Sequence, residues 1–115
     1  MNEPTPEQLK TQFLPRLREE LGALRIASDT TAEHRKPVEL DQQSVGRLSR
    51  MDAMQQQAMA NAQDARRQGR IVALEAALRR IESDDFGWCD ACGEFIGAKR
   101  LEFDATLMRC RQCVG

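Results

Sequence analysis

All four cysteines of the chain fall in its last quarter as two Cys-x-x-Cys pairs, Cys89-Asp90-Ala91-Cys92 and Cys110-Arg111-Gln112-Cys113, separated by residues 93–109. Two such pairs with a spacer of about fifteen to twenty residues match a four-cysteine zinc site. Each pair turns two sulfurs to one side, and two pairs complete a tetrahedron with Zn–S near ~2.3 Å. Soft thiolates in that geometry favour zinc or iron over magnesium or calcium. A rubredoxin-like iron centre has the same ligands, and spacing alone does not separate it from zinc. Four protein ligands leave no open position, so the site is predicted to be structural rather than catalytic. Two disulfides would require an oxidising compartment, and no signal peptide is visible. A redox pair would call for a βαβ context that the sequence lacks.

The rest of the composition limits what surrounds this centre. At 115 residues the chain has room for one domain and at most an extended arm. It holds one Trp, four Phe and no Tyr, while 30% of its residues are charged. That balance suits long exposed helices better than a thick core. A formal net charge of −1 supplies no global basic field for nucleic acid. No apolar run approaches the roughly 18 residues that span a bilayer. The expected location is the cytoplasm.

Thr5-Pro6-Glu7-Gln8 reads as a helix start, with a capping Thr, Pro at the first helical position and Gln three residues after the cap. Leu14, Leu17, Leu21 and Leu24 then follow the 3–4 repeat of a coiled-coil seam, with Leu9 and Phe13 before them. Pro15 predicts either a kink or a second helix start. The first helix is expected over about residues 6–28. Residues 29–43, with Pro37 and an Asp/Thr cluster, read as a tip loop. The lone His34 in this loop reads as solvated.

Residues 44–83 carry one long helical pattern, a rod of roughly 60 Å at about 1.5 Å per residue. Leu48, Met51, Gln55, Ala58 or Met59, Ala62, Ala65, Gly69, Val72 and Ala76 recur at heptad-like spacing, and Ile71, Leu74, Leu78 and Ile81 form a firmer stripe. Met51, Met54 and Met59 are expected in the core or seam, with a methionine-lined recognition surface the minority reading. Arg66, Arg67 and Arg70 read first as a solvated face with internal pairs such as Asp64–Arg67, and second as an anion site. In the last segment Phe86 and Trp88 should pack on the finger, residues 93–97 should form a hairpin or turn, and Leu101 and Phe103 should supply alternating apolar contacts. Acids outnumber bases from Glu82 onward, which makes the finger a poor DNA reader.

The run Asp85-Phe86-Gly87-Trp88-Cys89, then Cys92-Gly93-Glu94-Phe95-Ile96, Arg100-Leu101-Glu102, Ala105-Thr106 and the closing Cys110–Cys113 pair resembles the finger of the DksA/TraR family of RNA polymerase-binding regulators. The resemblance covers about residues 82–113. It implies a coiled-coil hairpin that enters the secondary channel of bacterial RNA polymerase and alters open-complex stability from its tip, often with guanosine tetraphosphate bound at the interface. The family's Asp-x-x-Asp-x-Ala tip string is absent. Asp41, or Asp52 with Ala53, are its candidate counterparts. The resemblance also makes Arg66, Arg67 and Arg70 candidate effector-binding residues, with Arg66 best placed. The family's longer members continue into a C-terminal helix beyond the position of Gly115.

The expected fold is thus mainly α: a long antiparallel coiled-coil helical hairpin over residues 1–83, followed by a small four-cysteine zinc finger over residues 84–115. The expected function is a non-enzymatic transcription regulator acting through RNA polymerase, without direct sequence-specific DNA binding. A zinc-ribbon nucleic-acid module and a structural coiled-coil adaptor are the alternatives. No nucleophile–base pair, phosphate loop or open metal site suggests an enzyme. A monomer is the expected state.

Overall fold

A computed structural model describes residues 3–35 and 47–113, the side chains of residues 33, 34, 47 and 48 excepted. The expectations for Asp41, His34, Leu48 and most of the tip loop lie outside the described residues. Helix α1 spans Pro6–Thr30 and is followed by a 3-10 turn, Ala32–Arg35. Helix α2 spans Arg47–Glu82, and a short α3 spans Ala98–Phe103 within the finger.

Helix α1 begins as its sequence predicts. The Gln8 N–H donates to Thr5 Oγ1 at 3.2 Å, and the Thr5 N–H donates to Gln8 Oε1 at 2.9 Å. Two otherwise unpaired donors are thereby satisfied. The helix runs through Pro15 without a break, so no second helix starts there. Pro15 is exposed, which lets water reach the carbonyl freed by its missing N–H. The helix also continues two residues past Ser28. Ser28 is buried, and its hydroxyl donates to Asp64 Oδ1 at 2.7 Å and accepts from Gln68 Nε2 at 2.9 Å, which ties the last turn of α1 to α2.

The two helices pack through unequal faces. Leu9, Phe13, Leu17 and Leu21 are buried on α1, with Leu14 and Leu24 partly so. Their partners on α2 are Ile71, Leu74, Ala77 and Ile81, with Leu78 at the edge. The firmer stripe of α2 is therefore its inner face. The longer stripe from Met51 to Ala76 is not the intramolecular seam. Met51, Met59 and Val72 are 51%, 63% and 62% exposed, and Gln55, Ala58, Ala62, Ala65 and Gly69 are exposed too. Met54 is 59% exposed, so the placement of the three methionines in the core is corrected. The reason is geometric: α1 ends opposite Asp64, and the inward row of α2 beyond that level is Ala53, Gln57 and Ala60.

The core does not stop at the end of α2. Phe86, Cys89, Ile96, Leu101, Ala105 and Cys110 belong to the same buried cluster as Leu9, Phe13 and Leu17. The Phe13 and Phe86 rings lie 5.4 Å apart at 50°. Each large side chain so buried contributes roughly 1.5–3 kcal/mol. The molecule measures 70 × 29 × 20 Å, and its radius of gyration of 20.0 Å is well above the ~13 Å of a compact chain of this length.

Candidate metal centre

The chain reaches the first cysteine pair through a tight reversal. After Glu82 it turns at Asp84, whose φ is +60°, and the N–H groups of Asp85 and Phe86 both donate to the Arg80 carbonyl. The Arg80 guanidinium answers by donating to the carbonyls of Asp85, at 3.0 Å, and Trp88. Gly87 has φ +96°, and a Cβ there would lie 2.6 Å from Leu9 Cδ1. Only glycine fits both that backbone and that contact.

Two short backbone loops then present the sulfurs. Trp88 and Phe95 form an antiparallel bridge, with Cys89 N–H to Glu94 O and Ile96 N–H to Gly87 O both 2.8 Å. The turn itself lies at residues 90–92, and residues 93–97, expected to form a hairpin or turn, supply the returning arm. The Gly93 N–H donates to Cys89 O at 2.9 Å, and the Ala91 N–H points to Cys89 Sγ at 3.4 Å. The second pair closes a tighter turn, Cys113 N–H donating to Cys110 O at 3.0 Å. The Asp90 N–H to Met108 O bond, 2.9 Å, and the Asp90–Arg109 ion pair, 3.2 Å, join the two loops.

All four Sγ atoms lie within 4.8 Å of one another, and Cys92 and Cys110 are 3.6 Å apart. A tetrahedron with metal–sulfur bonds of about 2.3 Å has edges near ~3.8 Å. The set therefore fits one tetrahedral ion, and that separation is far too long for a disulfide bond of about 2.05 Å. All four cysteines are free thiols, with Cys89 and Cys110 buried. The backbone N–H of Cys110 holds the Cys89 thiol down to about 6, whereas hydrogen bonding to Cys110 pushes Cys113 up to about 12. Sulfurs this close resist shedding all their protons together unless a cation sits among them. The donors are soft and the set is closed, so the chemistry it supports is ion holding.

Helix α3 corrects one expectation. Leu101 is fully buried, but Phe103 is 89% exposed. Residues two apart share a face on a strand and point nearly opposite ways on a helix. Just past α3, Asp104 accepts from the Thr106 N–H at 3.0 Å and from its hydroxyl at 2.7 Å.

The hairpin's candidate residues separate on inspection. Arg70 donates to Asp104 at 2.8 Å, to Thr106 Oγ1 at 3.0 Å and to Glu20 Oε1 at 3.1 Å, so one guanidinium joins α1, α2 and the finger. Its hydrogen bond to Glu20 above all raises its pKa further. Burial works to raise the Asp104 pKa, but Arg70 and Thr106 outweigh it and hold the carboxyl below its usual range. Arg67 pairs with Asp64 at 3.2 Å, as the sequence suggests, and Arg35 reaches the same carboxylate at 3.3 Å. Arg66 is exposed, as is Asp52, while Ala53 is half-buried. Sequence reasoning missed Arg80, Glu20 and Asp104. The Asp104–Thr106 turn is legible in sequence as an Asx turn, but its partner Arg70, 34 positions away along the chain, is not.

No family model matches the chain. A 40-residue stretch is 50% identical to the RNA polymerase-binding transcription factor DksA of Haemophilus influenzae, covering 35% of this chain and 28% of that protein. Against the Escherichia coli K12 protein of the same name the identity is 42% over 43 residues, covering 37% and 28%. The matched stretch thus spans little more than a quarter of these relatives' length. The transcription factor DksA2 from Pseudomonas aeruginosa shares the fold, with a TM-score of 0.68 at 18% identity, over 95% of this chain and 79% of that one. With its paired cysteines gathered into one centre, the chain shares the DksA2 fold and is similar over about a third of its length to proteins named DksA.

Proposed function

We propose that this chain is a non-enzymatic regulator of transcription in the bacterial cytoplasm that binds RNA polymerase through its secondary channel. The observation that carries the reading is the 42–50% identity to proteins named RNA polymerase-binding transcription factors, on a chain that shares a DksA fold almost end to end. The shape supports it: a rod 70 Å long and 29 × 20 Å across suits a probe that docks by its sides and acts by its end. The four cysteines hold one structural zinc ion, which locks the two loops of the finger together. Cys89, Cys92, Cys110 and Cys113 are its ligands. The acidic finger supports protein contact over sequence-specific DNA reading.

Within this reading the acting carboxylate is Asp41, or Asp52 beside Ala53. If guanosine tetraphosphate takes part, Arg66 is its principal contact on this chain. An anion at Arg67 or Arg70 would have to compete with Asp64, Glu20 and Asp104. Pull-down with core RNA polymerase, set against a labelled-duplex shift, tests the partner. Binding to duplex but not to polymerase would overturn the reading. Asp41→Asn and Asp52→Asn are expected to keep polymerase affinity, and the variant lacking the acting carboxylate loses the effect on open-complex lifetime. If both variants regulate normally, the tip-carboxylate mechanism is wrong. Arg66→Ala should weaken an effector response by about 1.5–3 kcal/mol, the range for a charged hydrogen bond.

A further inference from the structure

Helix α1 ends without the glycine that closes many helices. Neither glycine nor asparagine occurs from Thr31 to Arg35, no basic residue lies in the last turn, and Thr31 has φ −97°, outside the left-handed region. The last carbonyls are nevertheless taken up. The Thr31 N–H and hydroxyl both donate to the Ala27 carbonyl, at 3.1 and 2.9 Å. Arg35 folds back from the 3-10 turn, and its Nη1 donates to the Ser28 carbonyl at 2.9 Å and to Thr31 Oγ1 at 3.0 Å. The same nitrogen lies 3.3 Å from Asp64 Oδ1 on α2. That oxygen also accepts from the Ser28 hydroxyl and from Arg67, whose Nη1 reaches Thr31 Oγ1 at 3.4 Å. The Asp64 and Arg67 side chains are 17% exposed and that of Arg35 24%, so water competes poorly for these contacts.

We infer that Asp64 and Arg35 are positioning residues for the acting end of the hairpin. The carboxylate on α2 holds the turn that follows α1, and so sets where the first helix stops and in which direction the chain leaves it. The leucine seam does not fix this. Its fully buried members end at Leu21, and apolar burial is non-directional, whereas a hydrogen bond constrains both distance and angle. The inference rests on the transcription reading and deepens it: the sides of the rod dock, the end acts, and this cluster joins the two. Asp64→Ala leaves two guanidiniums on Thr31 with no anion between them. Arg35→Met frees the Ser28 carbonyl and keeps an apolar stem. Arg35→Lys can keep the cluster, because one nitrogen makes all three Arg35 contacts and an ammonium carries three donors.

The test uses the purified full chain with RNA polymerase, at a promoter where the wild type changes open-complex lifetime. Polymerase affinity and the effect at saturating protein are measured separately, with circular dichroism as the check on folding. Arg35→Met and Asp64→Ala should keep their helical signal and bind polymerase within about twofold of wild type. Their effect at saturation should fall by roughly tenfold, as for the loss of one charged hydrogen bond. Arg35→Lys should return most of it. A role in stability alone would lower the apparent affinity and leave the effect at saturation intact. That outcome, or an Arg35→Met protein that acts like the wild type, or an Arg35→Lys protein as inactive as Arg35→Met, would overturn the proposal. Arg35→Met decides the matter if Asp64→Ala does not fold. A wild type that does not bind polymerase overturns the transcription reading and this proposal with it, whereas a wild type that acts and variants that match it overturn the proposal alone.

Discussion

The Arg70 guanidinium donates to the Asp104 carboxylate at 2.8 Å, bridging the middle of α2 to the loop that follows α3. Glu20 on α1 takes another of its N–H groups at 3.1 Å. The finger is therefore pinned to both helices by a polar staple, in addition to the apolar contacts of Phe13, Phe86 and Leu101. Removing Arg70 leaves two carboxylates facing each other without a cation. Arg70→Met is expected to destabilise the protein by about 1–3 kcal/mol, in the range for hydrogen bonds to charged groups, measured by urea unfolding. Arg70→Lys should recover only part of this, since an ammonium lacks the planar fork that serves both acids.

Acid should weaken the same staple. The folded pKa of Asp104 lies below the unfolded value of about 3.9, so its stabilisation is complete above that pH and is lost as pH falls through the lowered folded value. Asp64 shifts the same way, chiefly through the Ser28 hydroxyl. The stability difference between wild type and Asp104→Asn should be constant from neutral pH to about pH 5 and shrink below about pH 4. Thiolate protonation releases metal from both proteins in acid, so the difference between them is the readout. A difference that stays constant down to pH 3 would remove Asp104 from the account.

Metal loss should reach beyond the finger. Cys110→Ser, or chelation, is expected to empty the site by metal analysis, since ligand loss at such centres removes folding energy along with the ion. Phe86, Ile96 and Leu101 pack directly into the base of the hairpin. The apo protein should therefore lose more helical signal than the six residues of α3 account for, and melt at a lower temperature. Metal analysis that finds neither zinc nor iron in the reduced wild type would contradict the centre itself.

Gly87 and Leu101 should be far less tolerant than Phe103. Gly87→Ala combines a left-handed φ of +96° with an overlap on Leu9, and should cost about 1–3 kcal/mol or more. Leu101→Ala should cost about 2–5 kcal/mol as a fully buried truncation. Phe103→Ser should change stability by no more than about 0.5 kcal/mol, because the ring is 89% exposed. Equilibrium unfolding of the three variants checks the order.

The sequence by itself determined the parts that depend on near neighbours. The cysteine pairs are set by their own spacing, because two residues between thiols suffice to turn both sulfurs one way. The start of α1 is set by Thr5 and Gln8, which satisfy each other's backbone across three residues. The internal pair Asp64–Arg67 follows from one helical turn. Only the tertiary structure decided which of two apolar stripes on α2 turns inward. Both have helical period, and the choice rests on what lies opposite: the leucines of α1 face Ile71 and Leu74, and Ser28 reaches Asp64. The same holds for Phe103, turned outward by α3, and for Arg70, whose partners Glu20 and Asp104 lie 50 and 34 residues away. Local hydrogen bonds and ligand spacing act within a few residues of chain, whereas burial is a property of two surfaces meeting, and the meeting is made by the fold.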